Sequence, residues 1–354
     1  MVNSAKMLFL LFCVAIKVFG QDDFFEPKST IGGYGELHYN KIIPEKGKTM
    51  NTLDFHRFVL FYSHSWTEKL SLKAEVELEH NYVSGNNGEL ELEQAYIDYH
   101  HADWFGIQAG VILPSVGILN EFHEPPTFLS VERPEYHNKI IPTTWFGNGF
   151  AIYGSYLDLD YKLSIVEGLN ADKINVKSAI RDARQKGYKS NADHLLYNFR
   201  LNYLGIPGQL VGVSVTFNKA FSKTKPIDVS IIDIHYKYQQ DGIYIVFESA
   251  RIDYKNSNLK SSTGYYADLG YNVFRFTSFE SELIPFIRFS KFNTANDVDG
   301  GGDIKKQFLT NQIMVGLKFK PIPEISLGVD YAQNKVRLNN QKTNYLNIGV
   351  GYMF

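Results

Sequence analysis

The chain has 354 residues, 36 Lys+Arg against 38 Asp+Glu and a formal charge of −2, a balance that excludes a strongly basic nucleic-acid binder and a highly charged disordered chain. Aromatics reach 15%, from 26 Phe, 23 Tyr and 3 Trp, beside 28 Gly and only 12 Pro, a mixture that favours strands over helices. The single cysteine, Cys13, lies in an N-terminal apolar run, so a chain processed beyond it has neither a disulfide framework nor a CxxC metal site.

The first element in chain order is an address. Lys6 precedes the apolar run Met7 to Ile16, which fits the 7 to 15 residues of a signal-peptide core and is about half of a spanning helix. Val18 and Gly20 stand before Gln21-Asp22-Asp23 as cleavage-site residues would. Residues 1–20 are therefore expected to be a signal peptide and residues 21–354 a single domain. A lipoprotein reading through Leu10-Leu11-Phe12-Cys13 is disfavoured, because bulky Phe12 sits where a small residue is needed. Losing Lys6 and Lys17 takes the charge to roughly −4. No later apolar run approaches the ~18 residues of a spanning helix, so any crossing of a membrane must use strands.

From Gln21 onward the apolar residues follow period 2. In Leu70 to Glu79 every even position is apolar and every odd one polar. Leu195, Tyr197, Phe199, Leu201 and Tyr203 share one face, with Asn198, Arg200 and Asn202 on the other. Ile232, Ile234, Tyr236 and Tyr238 oppose Asp233, His235 and Lys237, and Ile325, Leu327, Val329 and Tyr331 oppose Ser326, Gly328 and Asp330. This is the pattern of strands with one apolar face. The pattern predicts sixteen strands, centred near Gly35, Val59, Val76, Tyr96, Ala109, Ile152, Leu163, Phe199, Val213, Ile234, Val246, Leu269, Ile287, Val315, Val329 and Ile348. One charged stretch, Ala171 to Lys186, could be helical within a loop.

The connections alternate in length. Long ones run Lys41–Thr52, Tyr82–Gly88, Pro114–Phe146, Asn170–Asp193, Asn218–Lys225, Asp253–Ser262, Lys291–Lys306 and Gln333–Thr343; between them lie tight links such as Thr67-Glu68, His101-Ala102-Asp103 and Leu157-Asp158. Long outer loops alternating with short periplasmic turns mark an outer-membrane barrel, and an even strand number returns both termini to one side. The last strand sets Leu346, Ile348, Val350, Tyr352 and terminal Phe354 on one face. Tyr352 and Phe354 so placed resemble the assembly signal that barrel-insertion machinery reads. The expected class is an all-β transmembrane antiparallel barrel in the bacterial outer membrane, with lipid as its surroundings.

Sixteen strands enclose more space than inward side chains fill, leaving an aqueous lumen. The expected function is passive diffusion of small hydrophilic solutes or ions, with no cofactor, no metal and no nucleic-acid partner. Inward, pore-lining positions are Glu36, His38, Lys73, Glu75, Glu77, Glu79, Gln94, Asp98, Arg200, Asp233, His235, Lys237, Arg288, Lys318 and Asp330. Such groups are tolerable against water and costly against lipid. The connection 114–146 is the third outer loop. It carries Glu121, His123, Glu124, Glu132, Arg133, Glu135 and His137, and its prolines Pro125, Pro126, Pro134 and Pro142 with Phe122, Phe128, Tyr136 and Trp145 argue for packed order. It is expected to fold into the lumen and constrict it.

The succession Leu92-Glu93-Gln94-Ala95-Tyr96-Ile97-Asp98-Tyr99, Gln108-Ala109-Gly110-Val111-Ile112-Leu113-Pro114, the Pro-rich loop and Ile141-Pro142-Thr143-Thr144-Trp145-Phe146-Gly147-Asn148-Gly149 resembles phosphate-selective and related bacterial porins. The resemblance implies a 16-stranded homotrimeric barrel whose infolded third loop controls diffusion. One departure argues against phosphate as the solute. The lumen of the anion-selective members carries a ladder of arginines, whereas Arg is scarce here, several fall in expected loops (Arg133, Arg181, Arg184), and strand three presents Glu75, Glu77 and Glu79.

No HExxH, GxSxG or GKS/T motif occurs, His100-His101 is placed in a turn, and no enzyme is expected. Asp297 to Asp303 is the one metal-like cluster by sequence, but it lacks the downstream Glu of an EF-hand loop. The alternative is an outer-membrane barrel with a closed lumen that acts as an adhesin or binds a partner.

Overall fold

A computed structural model describes residues 25–85 and 87–354, so the expected signal peptide lies outside the described residues. Sixteen strands follow one another: β1 (Lys28–Pro44), β2 (Met50–Ser65), β3 (Leu70–Ser84), β4 (Asn87–Ala102), β5 (Phe105–Ile112), β6 (Gly147–Tyr156), β7 (Leu159–Glu167) and β8 (Leu195–Tyr203). Then come β9 (Gln209–Ala220), β10 (Ile227–Gln240), β11 (Ile243–Lys255), β12 (Leu259–Tyr271), β13 (Glu282–Val298), β14 (Leu309–Ile322), β15 (Ile325–Val336) and β16 (Lys342–Met353). Each pairs antiparallel with the next, and β1 pairs with β16 to close the barrel. Every expected strand centre falls inside its strand. No described helix is long and apolar enough to cross a membrane.

Alternation decides which side faces in. Along β10, Ile232 and Ile234 are 54% and 50% exposed on the outside, while Asp233 between them is 0% exposed on the inside. A one-residue slip would put that carboxylate outside and the isoleucines within. The closing ladder runs from Pro44↔Thr343 to Tyr34↔Met353, and the last residue extends it: Phe354 N–H donates to Gly33 O, and Gly33 N–H to Phe354 O, both at 3.0 Å. Gly33 is required there, because a Cβ would come within 2.1 Å of the Val59 carbonyl. The Phe354 ring stacks on Phe58 and Tyr352. Exposed aromatics cluster at the short-turn end, at Trp66, Trp104, Tyr156, Tyr203, Phe276 and Phe279, where an interfacial girdle belongs.

Four expectations change. Residues 171–186 do not form a helix; two 3-10 turns, Ala171–Lys173 and Arg181–Ala183, interrupt an irregular loop. Two supposedly long connections are tight, since β3 runs to Ser84 before β4 starts at Asn87, and β11 runs to Lys255 before β12 starts at Leu259. The β12–β13 link, on the short-turn side, is instead extended and holds the 3-10 turn Val273–Phe276. His100 and His101 lie within β4, not in a turn. The acids of the 297–303 segment pair with lysines, Asp297 with Lys305, Asp299 with Lys260 and Asp303 with Lys306.

The apolar core lies inside the barrel. Val229, Ile231, Ala250, Ile252, Phe292 and Ala295 on the inner wall pack with Val116, Tyr136, Ile140 and Trp145 of the β5–β6 loop and Leu169, Ile180 and Ala183 of the β7–β8 loop.

Candidate functional site

The β5–β6 loop leaves the wall after Ile112 and rejoins it at Gly147. Its neck is held by Asn120, whose Nδ2 donates to Pro114 O (2.7 Å) and Trp145 O (2.9 Å) while its Oδ1 accepts from Trp145 N–H (2.7 Å). Prolines and a 3-10 turn at Pro125–Thr127 stiffen the descending limb, and a single helical turn, Tyr136–Lys139, places Tyr136 and His137 side by side. The loop's apolar residues have nowhere dry to go except inward, and its polar groups then find partners round the wall.

Those partners include His38, Arg200, Asp233, Arg288, Lys318 and Asp330 of the residues read as pore-lining. His38 Nδ1 stands 2.8 Å from Glu132 Oε1, and Glu132 also accepts from Asn40. Glu121 pairs with Lys162 and Arg200. Tyr136 O–H donates to Asp233 (3.1 Å), which also bonds His235 (2.7 Å), and His137 meets Glu248 at 2.8 Å. Arg288 forks onto Asp268 and donates to Ser130 Oγ. Lys318 donates to the Pro125 and Phe128 carbonyls, Asp330 accepts from Val131 N–H (2.7 Å), and Glu135 accepts from Gln312 and Asn334. Arg200, Asp233, Arg288 and Lys318 thus lie on the lumen face but are buried beneath the loop, not bathed by water.

The β1–β4 wall is different. Glu36 pairs with Arg57 and lies 3.3 Å from His38; Arg57 also approaches Glu77 at 3.4 Å. Glu75 binds Gln94, while Asp98 pairs with Lys73 and accepts from Tyr153 O–H. Between this wall and the two loops lies a cavity of about 220 Å³. Its carboxylates are Glu36, Glu77, Glu79, Glu91 and Glu132. Its cations are Arg57 from the wall and Arg133, Arg181, Arg184 and Lys186 from the loops. Arg184 donates to the Thr143 and Thr144 carbonyls, tying one loop to the other, and Lys186 reaches Glu89 and Glu91. A second cavity of about 220 Å³ opens toward the short turns, lined by Phe122, Phe128, Leu129 and the lysines Lys237, Lys318 and Lys320. Pro134 borders both cavities. Glu124 caps the 3-10 turn and makes no ion pair among the described residues.

Burial shifts the loop's titrating groups, and their partners set the direction. Burial pushes the Glu121 carboxyl up, but Lys162 and Arg200 outweigh it and hold the pKa at about 2. Burial likewise opposes the Glu132 charge, which the His38 hydrogen bond restores, giving about 2. For His123, burial and Arg133 act against protonation, yet Glu75 and Glu93, each 3.5 Å from Nε2, raise it to about 10. Glu135 is pushed up by burial, with only Asn334 and Lys139 acting against it.

The sequence reading missed Arg57, Glu93, Glu248 and the apolar inner wall, whereas His137 was among the residues expected in the loop. Glu93 shows why. The β3–β4 ladder jumps from Glu75↔Gln94 to Val76↔Leu92, so Glu93 is an extra residue turned inward out of phase with strict alternation. Glu248 keeps phase with Ala250 and Ile252, but those apolar neighbours hide the inward face from a search for polar residues.

No protein-family model matches the chain. A closed, antiparallel, sixteen-stranded barrel with an infolded loop is the architecture of outer-membrane porins, and solved structures of that class superpose on it. OmpF of Salmonella typhi, in complex with daunomycin, matches with TM-score 0.65 at 13% identity over 92% of this chain and 98% of its own. An anion-selective porin from Comamonas acidovorans matches at 0.64 and 11%, over 93% and 100%. The trimer form of OmpT, an outer membrane protein of Vibrio cholerae, matches at 0.57 and 12%, over 92% and 99%. At these identities the likeness is one of fold. In sequence, the chain is 32% identical over 330 residues to an uncharacterized protein of Aquifex aeolicus (strain VF5), covering 86% of this chain and 75% of that one, and belongs to the same family.

Proposed function

We propose that the protein is an outer-membrane channel that passes small charged hydrophilic solutes or ions by diffusion through a lumen narrowed by two loops. The observation that carries this reading is the charged cavity between the β1–β4 wall and the loops, with carboxylates and guanidiniums facing one another across it. Opposed charges over a gap of this size orient and select small ions, because low-dielectric walls focus their field. In this reading the selecting groups are Glu36, Glu77, Glu79 and Glu132 against Arg57, Arg133 and the β7–β8 loop arginines. Glu75, Arg200, Asp233, Arg288 and Lys318 position the constriction loop. Lys73, Gln94, Asp98 and Lys237 lie toward the short-turn mouths.

The same reading places short turns in the periplasm, the aromatic girdle at that interface, and Tyr352 and Phe354 in the signal for barrel insertion. The resemblance to phosphate-selective porins contributes the class of barrel. The loop arginines facing the cavity weaken the contrast with that family, but five carboxylates still balance them. A homotrimer is proposed by analogy with the trimeric OmpT form.

The test is single-channel current of the refolded, detergent-purified protein under a salt gradient. Discrete ohmic steps with a nonzero reversal potential are expected. One observation favours a second reading, a closed barrel whose loops bind a partner: the loops pack an apolar core against the inner wall. Absence of steps from a demonstrably folded barrel would select it.

A further inference from the structure

Three of the chain's histidines meet on the inner wall, and two of them, His56 and His80, have no part in the roles given above. His38, His56 and His80 come from β1, β2 and β3, and the β1–β2 register sets His38 directly opposite Asp54. We propose that Asp54, His56 and His80 form a site for one divalent transition-metal ion of the zinc class, open to the charged cavity.

The backbone builds this site through two irregularities. The β1–β2 ladder steps from Glu36↔Arg57 to Leu37↔Phe55, leaving His56 as the extra residue of a bulge. Bulges re-aim side chains. β2–β3 pairing ends at Arg57↔Glu79, and the next residue, His80, holds φ at 56°, a left-handed conformation that is strained for a non-glycine residue. Both departures turn an imidazole toward the same carboxylate oxygen. Asp54 Oδ2 lies 3.1 Å from His56 Nδ1 and 2.7 Å from His80 Nδ1.

That spacing suits an ion. The three ligand atoms lie within 4.8 Å of one another. Metal–ligand bonds of about 2.0–2.1 Å in a tetrahedron set neighbouring ligand atoms about 3.4 Å apart, so slight rotation of the rings suffices. Two imidazoles and one carboxylate suit zinc, nickel, cobalt or copper, whereas magnesium and calcium prefer all-oxygen shells. The side chains of His56, His80 and Asp54 are 23%, 43% and 27% exposed, so an ion can enter and keep water in a fourth position. His38 has both ring nitrogens engaged, by Glu132 and Glu36, and stacks on His56 at 5.1 Å. It orients the His56 ring, and through it the ion stands one imidazole away from Glu132 of the constriction loop. An occupied site would therefore add positive charge beside the cavity and bear on the loop.

The experiment is zinc binding to the refolded, chelator-stripped barrel in detergent, by calorimetry and by competition with a chromogenic chelator. One saturable zinc ion per chain in the micromolar range or tighter is expected, undisturbed by excess magnesium. His56→Ala and Asp54→Asn should each weaken it at least about tenfold, while His64→Ala and His101→Ala bind as the parent does. His80→Gln, at the most exposed ligand, supplies the same readout should a bulge variant fail to fold. Unsaturable binding, or equal affinity in parent and His80→Gln protein, overturns the site. Binding in detergent is independent of conductance, so a barrel that passes no current can still bind zinc, and a conducting one can fail to.

Discussion

The two sides of the lumen share one barrel yet differ in kind. On the β10–β13 side the inner wall toward the long loops is apolar, with Val229, Ile231, Ala250, Ile252 and Phe292 sealed by loop residues Tyr136 and Ile140. On the β1–β4 side it carries Glu36, Arg57, Glu77 and Glu79, and a cavity remains. Toward the long loops the inward residues are charged where a cavity remains and apolar where loop side chains fill the space, while the polar groups that the β5–β6 loop covers, such as Asp233 and Arg288, are paired. A barrel wide enough for water has here been given a partial protein core, which pushes any passage to one side.

The comparison can be broken most forcefully at the sealed side. Arg288→Ala should leave Asp268 buried and unpaired, costing about 3–5 kcal/mol in urea unfolding, whereas the double change Arg288→Met with Asp268→Leu should come close to neutral. Tyr136→Ala removes a fully buried ring packed 5.4 Å from Tyr266 and a hydrogen bond to Asp233; a loss of about 3–5 kcal/mol should loosen the loop and raise single-channel conductance. Unchanged conductance would mean that the loop does not limit flow. On the outer surface, Ile234→Arg should cost about 2–4 kcal/mol in a bilayer if this position faces mid-membrane lipid, and far less in the reverse orientation of the strand.

A smaller effect lies at the stem of the loop. The His123 pKa stands at about 10, above its ordinary value near 6.5. Its protonated attraction to Glu75 and Glu93 is fully present below pH ~6.5 and is lost as pH rises through about 10. Channel noise from loop motion should grow across that window, and His123→Gln should flatten the trend. A parent and variant with the same pH profile would remove His123 from the anchoring set.

Much of this was readable from the chain because a period-2 pattern distinguishes inside from outside without knowledge of the partner strand. All sixteen strands follow from it, as does the order in the third loop, where prolines alternate with large aromatics. What escaped has local physical reasons. A bulge breaks parity at His56 and Glu93, so single residues turn inward against the phase of their strands. Val229 and Ile231 face inward yet look like lipid-facing residues, because sequence cannot say which water a loop has displaced. The charges of 171–186 imitate a solvated helix face, but that segment's Ala171, Ile180 and Ala183 are held by tertiary packing, and propensity yields to it.

The finest comparison is within the charged cavity itself. Glu79 from the wall and Arg181 from the β7–β8 loop both line it, and neither side chain forms an ion pair among the described residues. A mobile ion can therefore meet them without first displacing a partner. Glu79→Gln should shift the reversal potential toward anions and Arg181→Gln toward cations. Both shifts should shrink between 0.1 M and 1 M salt as the screening length falls from about 10 Å to about 3 Å. The larger shift identifies the dominant side of the field. Shifts of opposite sign place the current between wall and loop. If neither variant moves the reversal potential while steps persist, the current runs elsewhere, and the β10–β13 side is less sealed than its packing implies.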